Sequence, residues 1–359
     1  MKRILVLGAT GSIGTAALDV IRSHPDDFRA AGLAVRSRAD EAERLGRAFG
    51  APWFAGEDAA ARAVRETDAD LVLVATVGLS GLAPTLAAIE RGIPVALATK
   101  EVLVAAGALV MARAREKGVP IIPVDSEHSA IFQCLGGAAS CRAASRLTLT
   151  ASGGPFLDEP TDLSAVTPAM ALRHPTWRMG PKVTVDSATM MNKGFEMLEA
   201  RWLFDVPLEA IDVVIHPEAI VHSLVTFTDG STLAQLSPPD MRVPIQYALS
   251  WPDRLPAARA PLDLARLGAL TFRAPDEDRF PCLRIVRAAA EAGGTRAAAL
   301  SAADEVAVSR FLAGSISYTD IPRLVADAAD AAPDLPCDSV ENILAADAAG
   351  RKLAEEWNS

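Results

Sequence analysis

Along the first third of the chain, apolar residues come in short, nearly unbroken runs of Ile, Val and Leu. Between them lie Ala-rich stretches in which apolar positions recur every three or four residues. The runs predict strands over Arg3–Leu7, Ala31–Val35, Asp70–Thr76, Ile93–Ala98 and Val119–Val124, and the intervening spacing predicts helices such as Thr15–Ser23 and Ala39–Phe49. Strands without polar alternation are covered on both faces. That requires a parallel sheet with crossover helices, so residues 1–124 read as a doubly wound, Rossmann-like α/β domain.

From Asp125 the pattern changes. The segments Leu147–Ala151, Lys182–Asp186, Val213–His216 and His222–Thr228 are short, and several alternate apolar with polar positions. Asp229-Gly230 between His222–Thr228 and Ser231–Leu236 is a hairpin signal. Residues 125–250 therefore read as an α+β domain with a largely antiparallel sheet. The Pro- and Arg-spotted stretch 251–282 reads as a linker, and Ala-rich 283–359 as a C-terminal helical bundle in which Ser301 and Asp304 form a capping box.

Composition narrows the classes of function. The 359 residues are 50% hydrophobic and carry a net charge of −10, which excludes disorder and disfavours nucleic acid or an anionic membrane as partner. The longest apolar stretch, near Val102–Ala112, falls short of the roughly 20 residues a membrane span needs. The N-terminal MKRILVLG has the charge and apolar run of a short leader, but Gly8, Thr10, Gly11 and Ser12 interrupt it, and a buried first strand explains it better. Cys134, Cys141, Cys282 and Cys337 lack metal-site spacing and read as reduced thiols of a cytoplasmic protein.

Candidate chemistry sits where strands end. Gly8, Gly11 and Gly14 follow the first strand and open a helix, the context in which glycines let backbone approach a dinucleotide pyrophosphate. After the second strand come Arg36, Ser37 and Arg38 where an NAD site would carry an acid, and two guanidiniums with a hydroxyl suit the 2′-phosphate of NADP. After the fifth strand, Asp125 and Glu127 share a face if the backbone stays extended, and two such carboxylates call for a cation, Mg²⁺ or Mn²⁺. Further on, Ser187, Asn192 and Lys193 offer a hydroxyl, an amide and an ammonium near the start of an amphipathic helix ending at Phe204, and Glu196 could supply a third carboxylate. Ser152 precedes Gly153-Gly154 after a strand, His174 to Gly180 forms a Pro- and Gly-bounded loop whose Trp177 suits a lid, and Lys100-Glu101 ends another strand. His216 and His222 flank the next strand, and each reads equally as a structural or a site histidine.

Taken in order, GATGSIG, ATKE, PVDSEH, ASGGPF, HPTWRMG, VDSATMMNKGFE, HPEAIVHS and PPDMR make the chain resemble the 1-deoxy-D-xylulose 5-phosphate reductoisomerase family nearly end to end. The resemblance implies an NADPH- and divalent-metal-dependent enzyme of isoprenoid biosynthesis, the target of fosmidomycin, working as a cytoplasmic homodimer on a sugar phosphate, with catalysis and dimerisation in residues 125–250. It implies Asp125, Glu127 and Glu196 as metal ligands and, with Lys100, as catalytic residues. Substrate contacts would come from Lys100, Ser126, Glu127, Ser152, His174, Trp177, Ser187, Asn192, Lys193, Glu196 and His222. Cofactor contacts would come from Gly8, Thr10, Gly11, Ser12, Ile13, Arg36, Ser37, Arg38, Thr99, Glu101, Gly180 and Met241. The chain departs from the family at Arg36-Ser37-Arg38, where Gly, a small or basic residue and Asn are usual, and at Thr99, where Asn is usual. The rival reading is a simple NADP-dependent dehydrogenase of the homoserine or semialdehyde type, which has no use for three convergent carboxylates.

Overall fold

The computed structural model describes residues 1–136, 143–158, 162–256 and 261–358. Its contacts divide the chain into two units. One comprises Met1–Val102, Val110–Ser140 and Asp240–Leu262, and the other Leu103–Leu109, Cys141–Pro239 and Asp263–Ser359.

In chain order the first unit alternates β1 (Lys2–Leu7), α1 (Ser12–Ser23), β2 (Phe28–Val35), α2 (Ala39–Phe49), β3 (Trp53–Ala55), α3 (Ala59–Glu66), β4 (Leu71–Val74), α4 (Leu82–Glu90), β5 (Val95–Leu97), α5 (Glu101–Lys117), β6 (Ile121–Pro123) and α6 (Ser126–Cys134). The strands form one parallel sheet in the order β3-β2-β1-β4-β5-β6, with β1 at the point where the order reverses. Ile4, Leu5, Val6 and Leu7 are fully buried, as are Val72, Leu73 and Val74, which is why these strands show no alternation. The doubly wound expectation holds. The three-residue β3 carried no run long enough to be read from the sequence.

The second unit opens with β7 (Ala144–Ala151), α7 (Pro168–Ala171), α8 (Pro181–Thr189), α9 (Met191–Phe204), β8 (Ile211–Ile215), β9 (Val221–Phe227) and β10 (Thr232–Leu236). Its sheet runs β10-β9-β7-β8, antiparallel except for β7 with β8. The β9–β10 hairpin turns at Asp229-Gly230 as expected: Gly230 adopts φ +84°, and the Asp229 carboxylate accepts from the Ser231 amide at 2.9 Å. After α10 (Arg242–Ser250), which belongs to the first unit, come a single helical turn, α11 (Leu264–Leu267), and then α12 (Cys282–Ala292), α13 (Arg296–Leu312), α14 (Asp320–Ala331) and α15 (Val340–Glu356). The stretch before α12 pairs Arg273 with Ile215 in an antiparallel bridge.

Three local expectations are corrected. Lys182–Asp186 lies in α8, not a strand: Pro181 occupies the first helical position after Gly180, and Lys182 and Asp186 pair one turn apart at 2.7 Å, a helical spacing that outweighs the Val183/Val185 alternation. Ser301 and Asp304 lie buried inside α13, which already starts at Arg296 because Gly293-Gly294 ends the preceding element. The helix ending at Phe204 is buried almost all round rather than amphipathic. Cys134, Cys282 and Cys337 are free thiols, and Cys141 lies outside the described residues.

The turn after β1 is sterically exacting. A Cβ on Gly14 would stand 2.2 Å from the Gly8 carbonyl oxygen, and one on Gly8, which has φ +84°, would stand 2.1 Å from that of Ala75. Gly14→Ala is therefore expected to destabilise the first unit by about 2 kcal/mol or more. Urea denaturation measures this, and an unchanged midpoint would show that the turn tolerates a side chain.

Candidate functional site

In the first unit the candidate residues gather at the carboxyl ends of the strands, where open α/β sheets bind ligands. Gly11 caps α1 without any side-chain hydrogen bond, so the first-turn amides of this 12-residue helix, from Ser12 and Ile13 onward, lack intrahelical partners. A turn in which Gly8 and Gly14 admit no Cβ, leading to uncapped amides, fits a pyrophosphate. Thr10 and Arg38 meet there: the Arg38 guanidinium donates to the Thr10 carbonyl at 2.7 Å and lies 3.3 Å from Glu41. Arg38 has φ +59°, a left-handed conformation that Asn tolerates better than Arg. The two polar contacts hold the arginine in that conformation. Arg36 pairs with Glu57 at 2.9 Å with both side chains largely exposed, and Ser37 is exposed beside it.

At the end of β5, the buried Thr99 hydroxyl donates to the Thr76 carbonyl at 2.7 Å and so ties two strand ends together. Thr99 is thus spent on the loop framework. Lys100 caps α5, and its ammonium lies 2.5 Å from the Asp125 carboxylate, with both side chains mostly shielded. Glu101 occupies the first turn of α5. The extended geometry expected for Asp125 and Glu127 is not what forms. Asp125 is the N-cap of α6, its carboxylate accepting from the Ser126 amide at 3.0 Å, and Glu127 sits in the first helical turn, accepting from the Ser126 hydroxyl. The signal was present: Asp-Ser-Glu before Ser129, Ala130, Ile131 and Phe132 is a capped helix start. Both carboxylates stay at the carboxyl end of β6, placed by a helix terminus instead of a strand face. Met241 immediately precedes α10 in the same unit.

The second unit gathers the phosphate candidates around His174. Its Nδ1 accepts the Thr176 and Trp177 amides at 3.1 and 2.9 Å, so that nitrogen carries no proton. Nε2 then bears the hydrogen, and it lies 3.0 Å from the Ser152 hydroxyl and 3.1 Å from the Ser187 hydroxyl. Burial holds the imidazole below its usual pKa of 6.5, in keeping with a neutral ring. Facing an N–H, both serine oxygens act as acceptors toward the ring, and their own hydrogens turn elsewhere. Two hydroxyl donors aimed away from a neutral histidine suit an anion.

The backbone makes this convergence possible. Gly153 and Gly154 adopt φ +88° and +69°, and a Cβ at residue 154 would stand 2.9 Å from the Ser187 carbonyl oxygen. At the other end of α8, Met190 turns the chain with φ +64° directly into α9. Asn192 and Lys193 lie in the first turn of α9, and both donate to the carboxylate of Glu196. Lys193 also donates to the Thr150 carbonyl at 2.6 Å. Lys193 is 4% exposed and Glu196 1%, so this carboxylate is held as an anion by an ammonium and an amide away from solvent. Gly180 precedes α8, and its carbonyl accepts from the Thr184 hydroxyl.

The two other candidate histidines separate. His216 is wholly buried: Nε2 accepts the Ile220 and Val221 amides, Nδ1 lies 2.8 Å from the Thr271 carbonyl and 3.0 Å from Glu218, and the ring stacks on Phe272. Nδ1 ties it to Thr271 and Nε2 to the 220–221 amides, so both nitrogens are engaged in the framework and it is a structural residue. His222 hydrogen-bonds Ser237 through Nε2 and lies 6.3 Å, ring to ring, from Trp177, which places it beside the 174–180 loop. The residues that sequence reasoning missed are Lys182 and Asp304, whose ammonium and carboxylate lie 2.8 Å apart behind Ser187. The helical spacing of Lys182 and Asp186 is a local signal for the first of them; Asp304 has none.

Known proteins match this chain throughout its length. Family models described as 1-deoxy-D-xylulose 5-phosphate reductoisomerase match residues 4–54 and 46–107, the C-terminal domain of that enzyme matches 121–204, and the DXP reductoisomerase C-terminal domain matches 236–353. The 1-deoxy-D-xylulose 5-phosphate reductoisomerase of Symbiobacterium thermophilum is 51% identical over 384 residues, covering 99% of this chain and 98% of that protein. The Ralstonia pickettii enzyme is 48% identical over 386 residues, covering 99% and 97%. Among solved structures, a DOX-P reductoisomerase in complex with NADPH, fosmidomycin and magnesium superposes with TM-score 0.93 at 40% identity, covering 99% of this chain and 98% of the other. The Zymomonas mobilis enzyme in complex with NADPH gives 0.87 at 38%, covering 98% of each. With about half of the residues identical across 99% of its length, the chain belongs to the 1-deoxy-D-xylulose 5-phosphate reductoisomerase family.

Proposed function

We propose that this protein converts 1-deoxy-D-xylulose 5-phosphate to 2-C-methyl-D-erythritol 4-phosphate, rearranging the carbon skeleton and reducing it with NADPH, as a step of isoprenoid precursor biosynthesis. The observation that carries this reading is the pairing of end-to-end family identity with a hydroxyl cradle on a neutral histidine and a buried, donor-held carboxylate. A plain dehydrogenase has no role for either feature.

The residues divide the work as follows. Ser152, Ser187, Asn192 and Lys193 hold the substrate phosphate, with His174 fixing the two hydroxyls. Asp125, Glu127 and Glu196 hold one divalent ion; three carboxylates form a hard oxygen donor set suited to Mg²⁺ or Mn²⁺. When bound, that ion supplies Lewis acidity toward the substrate's carbonyl and hydroxyl oxygens. Lys100 and Ser126 orient those oxygens, and Trp177 with His222 closes over the sugar and excludes water. Gly8, Thr10, Gly11, Ser12, Ile13, Glu101, Gly180 and Met241 line the NADPH site. Arg36 and Ser37 meet the 2′-phosphate, while Arg38 braces the glycine turn through Thr10. Residues 1–124 would form the NADPH domain, 125–250 the catalytic and dimerisation domain, 251–282 the linker and 283–359 the helical domain.

We propose further that the enzyme is a cytoplasmic homodimer. The free thiols suit a reducing compartment, and no helix among the described residues is long and apolar enough to cross a membrane. The β10 strand is a sheet edge with Leu233 half exposed, a surface that a second copy would cover.

An absorbance assay tests the function directly. NADPH oxidation should require both 1-deoxy-D-xylulose 5-phosphate and Mg²⁺ or Mn²⁺, and Glu196→Gln should lower kcat/KM by at least ~100-fold; turnover in EDTA would favour a simple dehydrogenase. Arg36→Ala should weaken NADPH binding by about tenfold while leaving NADH binding little changed. Equal losses for the two nucleotides, measured by fluorescence titration, would remove Arg36 from the phosphate. His174, being held neutral, should titrate below 6.5 by NMR. Its contribution to stability is then present above that pH and lost as the pH falls through the unfolded-state value, and a ring titrating above 6.5 would contradict the tautomer assignment.

A further inference from the structure

The C-terminal segment reaches α8, which carries Ser187, through two polar contacts: Asp304 of α13 with Lys182, and Tyr318 ahead of α14 with the Ala188 carbonyl. We infer that Asp304 and Tyr318 are positioning residues that set the Ser187 hydroxyl for phosphate binding; the inference rests on the cradle proposed above.

Ser187 lies near the end of α8, between two anchored neighbours. On its N-terminal side the Asp186 carboxylate pairs with the Lys182 ammonium at 2.7 Å, and that ammonium pairs in turn with Asp304 of α13 at 2.8 Å. The Lys182 nitrogen also stands 4.8 Å from the centre of the Phe195 ring. Asp186 is 1% exposed and Asp304 0%, so the three charges form a network with little freedom to move. On its C-terminal side, the Tyr318 hydroxyl donates to the Ala188 carbonyl at 2.6 Å. That carbonyl belongs to the last turn of α8, where no intrahelical donor follows because Met190 leaves the helical conformation. The Tyr318 ring is fixed in turn, packing edge-on against Phe156 and Phe311 at 5.5 and 6.0 Å. From a third direction, the Gly154 backbone approaches Ser187 too closely to admit a Cβ.

Ser187 is therefore held from α13, from the segment before α14 and from the β7 loop. The outcome is the 3.1 Å contact between its hydroxyl and His174 Nε2. Neither Asp304 nor Tyr318 needs to touch a ligand for this. Releasing either one leaves the serine present but misplaced, which should weaken binding of the phosphate in ground state and transition state alike. Kinetically that is a raised KM with kcat preserved.

The test is a double-mutant cycle with purified full-length enzyme, 1-deoxy-D-xylulose 5-phosphate and saturating NADPH. Tyr318→Phe and Asp304→Asn should each raise KM by about fivefold with kcat within about twofold. In a Ser187→Ala background the same changes should add nothing, because their effect passes through the hydroxyl already removed. Effects that multiply in that background, or a wild-type KM in both folded variants, would overturn the inference alone. A Ser187→Ala enzyme with unaltered KM would instead remove the cradle reading and this inference with it. Thermal melts by circular dichroism establish folding, and if Asp304→Asn does not fold, the nearly isosteric Tyr318→Phe decides the matter by itself.

Discussion

A buried carboxylate survives only where cations and hydrogen-bond donors replace the water it has lost, and the second unit is organised around that constraint. Glu196 is almost inaccessible, and Asn192 and Lys193 reach it from the same helix. Lys193 is itself nearly sealed off and needs the Thr150 carbonyl at the end of β7 as a further acceptor. This requirement fixes α9 against the sheet. The left-handed turn at Met190 joins α9 to α8, whose Ser187 lies against the loop that follows β7. Removing either partner of the Lys193–Glu196 pair would leave an uncompensated charge in the interior, a loss of about 3–5 kcal/mol.

The same logic repeats one layer behind. Lys182 compensates two carboxylates, one on its own helix and one on α13, so the helical C-terminal segment is electrostatically tied to the element that carries Ser187. In the first unit the constraint is steric. Glycines 8 and 14 let the backbone of the turn after β1 pack where no Cβ would fit, and Thr99 and Arg38 spend their polar groups on loop carbonyls. Position and charge are thus prepared by residues that have no chemistry of their own.

Much of this was legible in the sequence, for physical reasons that differ by element. The parallel sheet was visible because strands buried on both faces cannot hide their composition, and the hairpin because Asp229-Gly230 admits few other conformations. What was misread depended on distant partners. Asp125 and Glu127 were placed on an extended strand because the apolar run of β6 masks the helix cap that follows it. Lys182–Asp186 looked like a strand because Val183 and Val185 alternate with polar residues, although its charged pair has helical spacing. Asp304 reads as a cap because nothing local reveals that Lys182, more than a hundred residues earlier, needs its carboxylate. The neutral state of His174 likewise depends on amides that only the folded loop supplies.

The proposed function rests on Asp125, Glu127 and Glu196 serving a single divalent ion. Anomalous diffraction from crystals grown with Mn²⁺ tests it most directly. The account predicts one strong peak with an oxygen from each of the three carboxylates at about 2.0–2.3 Å. A peak ligated by only some of them, or an ion bound elsewhere while Glu196 keeps only its asparagine and lysine, would contradict it.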